Sequence, residues 1–292
     1  MLSDFDGTLC PTSDIRSGHN NSYMIPQPLE DILTKMSLTI PISIVTSKDY
    51  DFIYPKTKKF SKILSCILGL ETFVIDKKEQ INQDKNFLNK DFDYEMLETN
   101  SLILADATAY LEKNNQELNI EKKFLKGTKN LLGGITVDWR HDSDWNRNKK
   151  KYEQIVRESI STTLNNSQQK GEGIISKEKL EYYTSHLFIQ EYSTHPFIDL
   201  YIAKVSKGDA FDIVVSKLSQ ISDISGQIMY LGDSENDNPA FRKSDTSIGV
   251  VSDERLRPSL DCTYTIKFEN LSIFLKRLVE NNYIFSESLL TF

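Results

Sequence analysis

Ser3-Asp4-Phe5-Asp6-Gly7-Thr8-Leu9 is the stretch on which the fold turns. A short apolar start runs into two carboxylates two residues apart. On an extended strand, residues two apart point to the same side. Asp4 and Asp6 at a strand's carboxyl end therefore face one place, which is where open α/β sheets bind ligands. Gly7 opens backbone conformations closed to other residues, and Thr8 supplies a hydroxyl to brace the loop. A surface turn would also produce these residues, so the stretch has to be read with the rest of the chain.

Outward from this stretch the chain alternates strand and helix. A polar loop covers roughly residues 10–27, and Pro28 opens a helix over Leu29–Met36. Ile40–Val45 reads as a strand ending at Thr46-Ser47, and Ile67–Ile75 as a further strand. After Lys207 the alternation returns. Gly208–Ile221 is an amphipathic helix, Gln227–Leu231 a strand running into Gly232-Asp233, Thr246–Val251 another strand and Leu271–Asn281 a last helix. Such alternation specifies a parallel α/β sheet.

The middle reads differently. Glu95–Asn115 and Asn148–Gln169 are helical, while Asn130–Arg140, Glu181–Tyr192 and Phe197–Ile202 read as strands of an antiparallel sheet with one wet face. Asp142–Lys151 and Ser167–Gly173 are the expected loops. The expected architecture is an α/β core, residues 1–76 plus 205–292, with an α+β domain inserted over 77–204.

Composition bounds the partners. Hydrophobic residues make up 39% and charged residues 26% of 292 residues, ordinary for a globular protein. No apolar run approaches the ~20 residues of a membrane span. The net charge is -7 without a basic block, which disfavours a nucleic-acid partner. Cys10, Cys66 and Cys262 lie far apart with no CxxC pair, and the first residues hold no secretory leader pattern. Both observations point to the reducing cytoplasm.

A second carboxylate cluster follows the Gln227–Leu231 strand: Gly232-Asp233-Ser234-Glu235-Asn236-Asp237. Two acids four apart after a glycine suit a loop holding magnesium, a hard ion that takes oxygen ligands. The EF-hand spacing of acids is absent, and a polar turn capping a helix is the alternative. Thr46 at a strand end and Lys207 before a helix are unremarkable one by one.

Taken in order, these four features resemble the signature motifs of the haloacid dehalogenase superfamily of phosphotransferases, with a Rossmann-like core. The resemblance implies a nucleophile at Asp4, a general acid and base at Asp6, a phosphoryl contact at Thr46 and a charge-neutralising lysine at Lys207. It implies magnesium held by Asp4, Asp233 and the backbone carbonyl of Asp6, with Asp237 and Asn236 behind them. The long insertion resembles the larger cap of subfamily IIB, a domain that selects the substrate.

Within that group the chain resembles the phosphatases of trehalose phosphate, sucrose phosphate and mannosyl-3-phosphoglycerate. Gly134–Arg140 is similar to the strand ending in His-Tyr-Arg of the trehalose-phosphate phosphatases, although Asp138-Trp139 stands in place of His-Tyr. Ile198–Tyr201 is similar to the strand leading back to the motif lysine. A sugar-phosphate monoester is the implied substrate, with Ser47, Lys126 and Arg140 as candidate contacts. Phosphomannomutases share the first motif and a related cap, so a mutase is the alternative. A non-enzymatic metal-binding protein is disfavoured, because no catalytic carboxylate is missing.

Overall fold

The structure, a computed structural model, describes residues 1–11, 24–75, 88–89, 91–128, 131–170, 176–193, 195–222, 226–252 and 259–292. In chain order the elements are β1 (Leu2–Ser3), α1 (Gln27–Met36), β2 (Ile42–Val45), α2 (Tyr50–Thr57), β3 (Ser61–Cys66) and β4 (Glu71–Val74). Then come α3 (Tyr94–Asn114), β5 (Asn119–Phe124), β6 (Leu132–Asp138), α4 (Trp145–Lys170), α5 (Lys177–Thr184), β7 (Phe188–Glu191) and β8 (Phe197–Tyr201). The chain closes with α6 (Lys207–Ile221), β9 (Met229–Gly232), α7 (Asn238–Phe241), β10 (Thr246–Val251), β11 (Tyr264–Lys267) and α8 (Leu271–Glu280).

Two compact units result: Met1–Phe87 with Ser206–Phe292, and Leu88–Val205. The junction expected at Lys77 lies outside the described residues. The first unit is a seven-stranded sheet in the order β11-β10-β9-β1-β2-β3-β4. All its pairings are parallel except β3 with β4. Its inner strands are apolar on both faces, as a sheet covered on both sides requires; every residue of β2, β9 and β10 is buried.

β1 is only two residues long, yet it is the centre of the sheet. Leu2 pairs with Ser43 on one side and Tyr230 on the other. Strand order runs away from β1 in opposite directions in the two halves, so its carboxyl end is the topological switch point.

The second unit is an antiparallel sheet ordered β5-β6-β8-β7. Alternation sends Ile135, Val137, Ile198 and Leu200 to one face, all buried, and α3 packs on β6 and on α4. Asn100 on α3 ties this unit together, donating to the carbonyls of Tyr183 and Ile202 at 2.8 and 2.9 Å. Thr136 and Asp199, paired across β6 and β8, belong to a polar cluster. Buried Lys123 reaches Asp199 at 3.0 Å and the Tyr201 hydroxyl at 3.5 Å. Thr136 and Tyr192 donate their hydroxyls to the same carboxylate. Burial alone would raise the Asp199 pKa, but the Lys123 charge and these donors hold it below the usual carboxylate range.

The structure differs from the sequence reading in several places. The strand expected over Ile67–Ile75 begins only at Glu71. β3 ends at Cys66, a 3-10 turn covers Ile67–Gly69, and β4 returns antiparallel. The apolar run hid the turn because the turn itself is buried, with Ile67 and Leu68 at positive φ. Glu181–Tyr192 is not one strand. A serine cap, Ser176 accepting from the Lys179 amide, starts helix α5, and only Phe188–Glu191 extends. The loop expected over Asp142–Lys151 becomes helix from Trp145. Asp142 braces its start by accepting from the Asp144 amide, Asn148 and Tyr152. The expected loop at Ser167–Gly173 is helix through Lys170, and 171–173 lie outside the described residues. Most of the polar loop at 10–27 also lies outside them.

Helix α2 was not legible because it contains Pro55, a residue that ordinarily ends a helix. It forms from an Asp49 cap that accepts from the Phe52 amide at 3.0 Å. Among the described residues, no helix is long and apolar enough to cross a membrane.

The Lys123–Asp199 pair carries a test. Removing one partner of a buried pair leaves an uncompensated charge and costs ~3–5 kcal/mol. Lys123→Met is expected to lower the urea midpoint accordingly. The double variant with Asp199→Leu should recover much of the loss.

Candidate active site

The site is built at the carboxyl ends of β1, β2 and β9. The Asp4 amide donates to the Leu231 carbonyl at 2.9 Å, so β1 pairing with β9 continues into the first carboxylate. The chain then turns tightly. The amides of Leu9 and Cys10 donate to the Phe5 carbonyl, and the Gly7 amide donates to the Cys10 carbonyl at 2.8 Å. Phe5, Leu9 and Cys10 are fully buried, which anchors the turn from beneath.

Gly7 is required twice over. Its φ is +76°, and a Cβ placed there would lie 1.9 Å from Oδ2 of Asp233. The first acidic loop and the second thus touch at this glycine. The Thr8 hydroxyl donates to Oδ1 of Asp233 at 3.4 Å, as its expected bracing role requires.

Lys207 is the first residue of α6, after a Ser206 cap, and is 2% exposed. Its ammonium lies 2.9 Å from Oδ2 of Asp4 and 2.7 Å from Oδ1 of Asp237. Asp237 is completely buried and occupied by protein donors. Lys207 and the Tyr230 hydroxyl (2.8 Å) serve one oxygen; the amides of Asp233 and Ser234 (3.1 Å each) and the Ser234 hydroxyl serve the other.

Carboxylate oxygens of Asp4, Asp233 and Asp237 lie within 4.8 Å of one another. One lysine does not offset so much negative charge. Burial first, then the neighbouring Asp237 and Asp6, push the Asp4 pKa up to about 7 against the pull of Lys207. Burial first, then the Asp4 and Asp237 carboxylates, push Asp233 well above the usual range against the pull of Lys207. Burial pulls the Lys207 ammonium down, but Asp237, Asp4 and Asp233 outweigh it and hold its pKa raised. A site of crowded hard oxygens with too little positive charge fits a divalent cation of the magnesium type.

Of the other expected residues, Thr46 directly follows β2 and is fully buried, and its hydroxyl accepts from the Lys48 amide at 3.1 Å. Ser47 is half-buried beside it, and Asn236 is half-buried in the loop after β9. Asp6 has the Lys48 ammonium 3.9 Å away. Lys126 and Arg140 belong to the second unit. Lys126 is exposed in the turn after β5, and the Arg140 Nε meets Asp138 at 2.5 Å. Trp139 beside it is buried and stacked on Tyr152, a core position.

The sequence reading missed Lys48 and Tyr230. Tyr230 looked like one more apolar strand residue. Lys48 follows Thr46 by two positions at the end of a strand, a spacing that places it at the same end of the sheet.

With the geometry established, the relatives can be stated. The sequence profile of the haloacid dehalogenase-like hydrolases matches residues 1–255, and the chain belongs to that family. No curated protein matches the sequence. Among solved structures, the C-terminal domain of C. albicans trehalose-6-phosphate phosphatase is similar at 19% identity and TM-score 0.59, covering 96% of this chain and 91% of that one. A trehalose-6-phosphate phosphatase related protein is similar at 14% identity and TM-score 0.56, covering 97% and 99%. A haloacid dehalogenase-like hydrolase from Bacteroides thetaiotaomicron is similar at 12% identity and TM-score 0.55, covering 95% and 98%. At these identities the likeness is one of fold, a parallel-sheet core with a separate antiparallel unit.

Two outcomes follow from the site. The folded protein holds protons at Asp4 that the unfolded chain releases above about 3.8. With a chelator present, stability should therefore fall as pH rises from about 3.8 to about 7. Magnesium should raise the melting temperature more at pH 7.5 than at pH 5, because protons compete with it there. Second, Gly7→Ala forces a left-handed φ on a residue with a Cβ, at ~1–2 kcal/mol before the clash with Asp233 is counted. Manganese affinity by titration calorimetry should drop by about tenfold or more, with far-UV circular dichroism unchanged.

Proposed function

We propose that this chain is a magnesium-dependent phosphatase acting on a small phosphate monoester, a sugar phosphate, through an aspartyl-phosphate on Asp4. The observation that carries the reading is the buried Lys207 ammonium bridging Asp4 and Asp237 at the switch point of the sheet. It leaves Asp4 fixed, 5% exposed and pointing where a ligand binds.

In this reading an Asp4 oxygen attacks phosphorus and the bond to the leaving oxygen breaks. Asp6 gives its proton to that oxygen. Asp6 then takes a proton from water, whose oxygen attacks phosphorus and frees Asp4. Thr46 donates its hydroxyl to a phosphoryl oxygen. Lys207 orients Asp4 and offsets the charge developing on the transferring group. Asp4, Asp233 and the Asp6 carbonyl hold magnesium, which when bound offsets the repulsion between an anionic nucleophile and an anionic substrate. Asp237 acts behind them: donors occupy both its oxygens, so it holds Lys207 and the Asp233–Ser234 turn in place. Asn236 lies in the same loop.

The unit Leu88–Val205 is assigned the selection of substrate, with Lys126 and Arg140 as candidate contacts there and Ser47 in the core. The similarity to trehalose-6-phosphate phosphatase, which spans both units, favours a disaccharide phosphate. Sucrose 6-phosphate and mannosyl-3-phosphoglycerate are the next compounds to try. A mutase reading shares the same core.

The test is phosphate release from a panel of sugar phosphates with magnesium, with chelator and with Asp4→Asn. Release from one disaccharide phosphate, lost with chelator and reduced by about 10³-fold or more in Asp4→Asn, is the expected result. Interconversion of mannose phosphates without release would replace this reading by the mutase.

A further inference from the structure

The turn between β3 and β4 is strained, and it lies against the loop that carries Thr46. Ile67 and Leu68 stand at φ +47° and +54°. That left-handed region is costly for any residue with a Cβ, and most of all for a β-branched one such as isoleucine. Ile67, Leu68 and Leu70 are all buried, so the turn is fixed in the core. Strain of this kind persists only where the surroundings over-determine it, and it collects at functional sites.

The turn spends its two left-handed residues on one neighbour, the loop after β2. The Ile67 amide donates to the Lys48 carbonyl at 3.0 Å, and the Leu68 amide donates to the Thr46 carbonyl at 2.9 Å. Its far side rests on α6. Gly69 has φ +93°, and a Cβ there would lie 3.0 Å from the Cα of Ala210, one helical turn after Lys207. Thr46 is thereby held at several points. Its amide donates to the Ser65 carbonyl at 3.0 Å, its carbonyl accepts from Leu68, and its hydroxyl oxygen accepts from the Lys48 amide. Among the described residues, the hydroxyl proton alone meets no partner, which leaves it for a ligand.

We propose that Ile67, Leu68 and Gly69 are positioning residues for the reaction. Their turn is a strut, seated on α6, that holds the Thr46 backbone and so aims its hydroxyl. This rests on the phosphatase reading and deepens it. The strut sets Thr46 in place before the substrate arrives, so binding does not have to order the loop.

The test is the magnesium-dependent affinity for tungstate, a phosphate mimic that needs no turnover, measured by titration calorimetry. Gly69→Ala unseats the turn, because its Cβ meets both a left-handed φ and the Ala210 backbone. Should that variant fail to fold, Leu68→Gly allows the same φ but removes the side chain that anchors the turn. Each folded variant is expected to bind tungstate at least about fivefold more weakly. Thr46→Ala supplies the second arm of a cycle. A turn acting through Thr46 predicts that the double variant binds no more weakly than the worse single variant, within about twofold. A turn that only stabilises the fold would lower the melting temperature and leave the affinity unchanged. Unchanged affinity in the turn variants, losses that multiply in the double variant, or no tungstate binding by the unaltered protein would overturn the proposal. Hydrolysis of p-nitrophenyl phosphate by the unaltered protein is read separately: its absence would sink the phosphatase reading, while the affinity cycle still judges the strut.

Discussion

A buried ammonium between two buried carboxylates is the constraint around which the core is organised. Lys207 cannot be charged and 2% exposed without partners; taking an ion out of water is too costly unless opposite charge and hydrogen bonds replace the solvent. Its partners come from distant parts of the chain, Asp4 after β1 and Asp237 after β9. Those elements must therefore meet. The strand pairing of β1 with β9, the Ser206 cap that starts α6, and the Tyr230 hydroxyl under Asp237 all serve that meeting. The cluster is also under-neutralised, which is why the same residues that hold the core together suit a cation and a phosphate ester.

The second unit uses the same physics without the same consequence. Lys123 and Asp199 are as buried as the site residues, but here the accounts balance. One lysine meets one carboxylate, and two hydroxyls fill the remaining acceptor capacity. The carboxylate titrates lower than usual there, whereas Asp4 titrates higher. That contrast separates a polar cluster that stabilises a sheet from one that awaits a ligand.

Much of the core was legible because its rules are local. Strand ends carrying Asp4, Thr46 and Asp233, the helix start at Lys207, and the return of α/β alternation after it all follow from periodicity and cap chemistry. The errors fell where a local signal was ambiguous. The apolar run ending in Leu70 concealed a buried turn at Ile67–Gly69, where Gly69 would set a Cβ 3.0 Å from the Ala210 Cα. Pro55 masked α2, a helix short enough to tolerate it. The stretch Glu181–Tyr192 reads as strand by its alternation, and the Ser176 cap decided its first part for helix.

The sequence by itself placed Asp4, Thr46 and Asp233 at strand ends and Lys207 at a helix start, because each motif is a few contiguous residues whose backbone environment is local. It also determined that the middle of the chain forms a different kind of sheet. Only the tertiary structure decided which of these groups share a charge. Asp237 is consumed by Lys207, Tyr230 and two amides, and Gly7 is pinned by Asp233. Such pairings join residues far apart in the chain, and electrostatic energy depends on distance in space, which no spacing along the sequence reports.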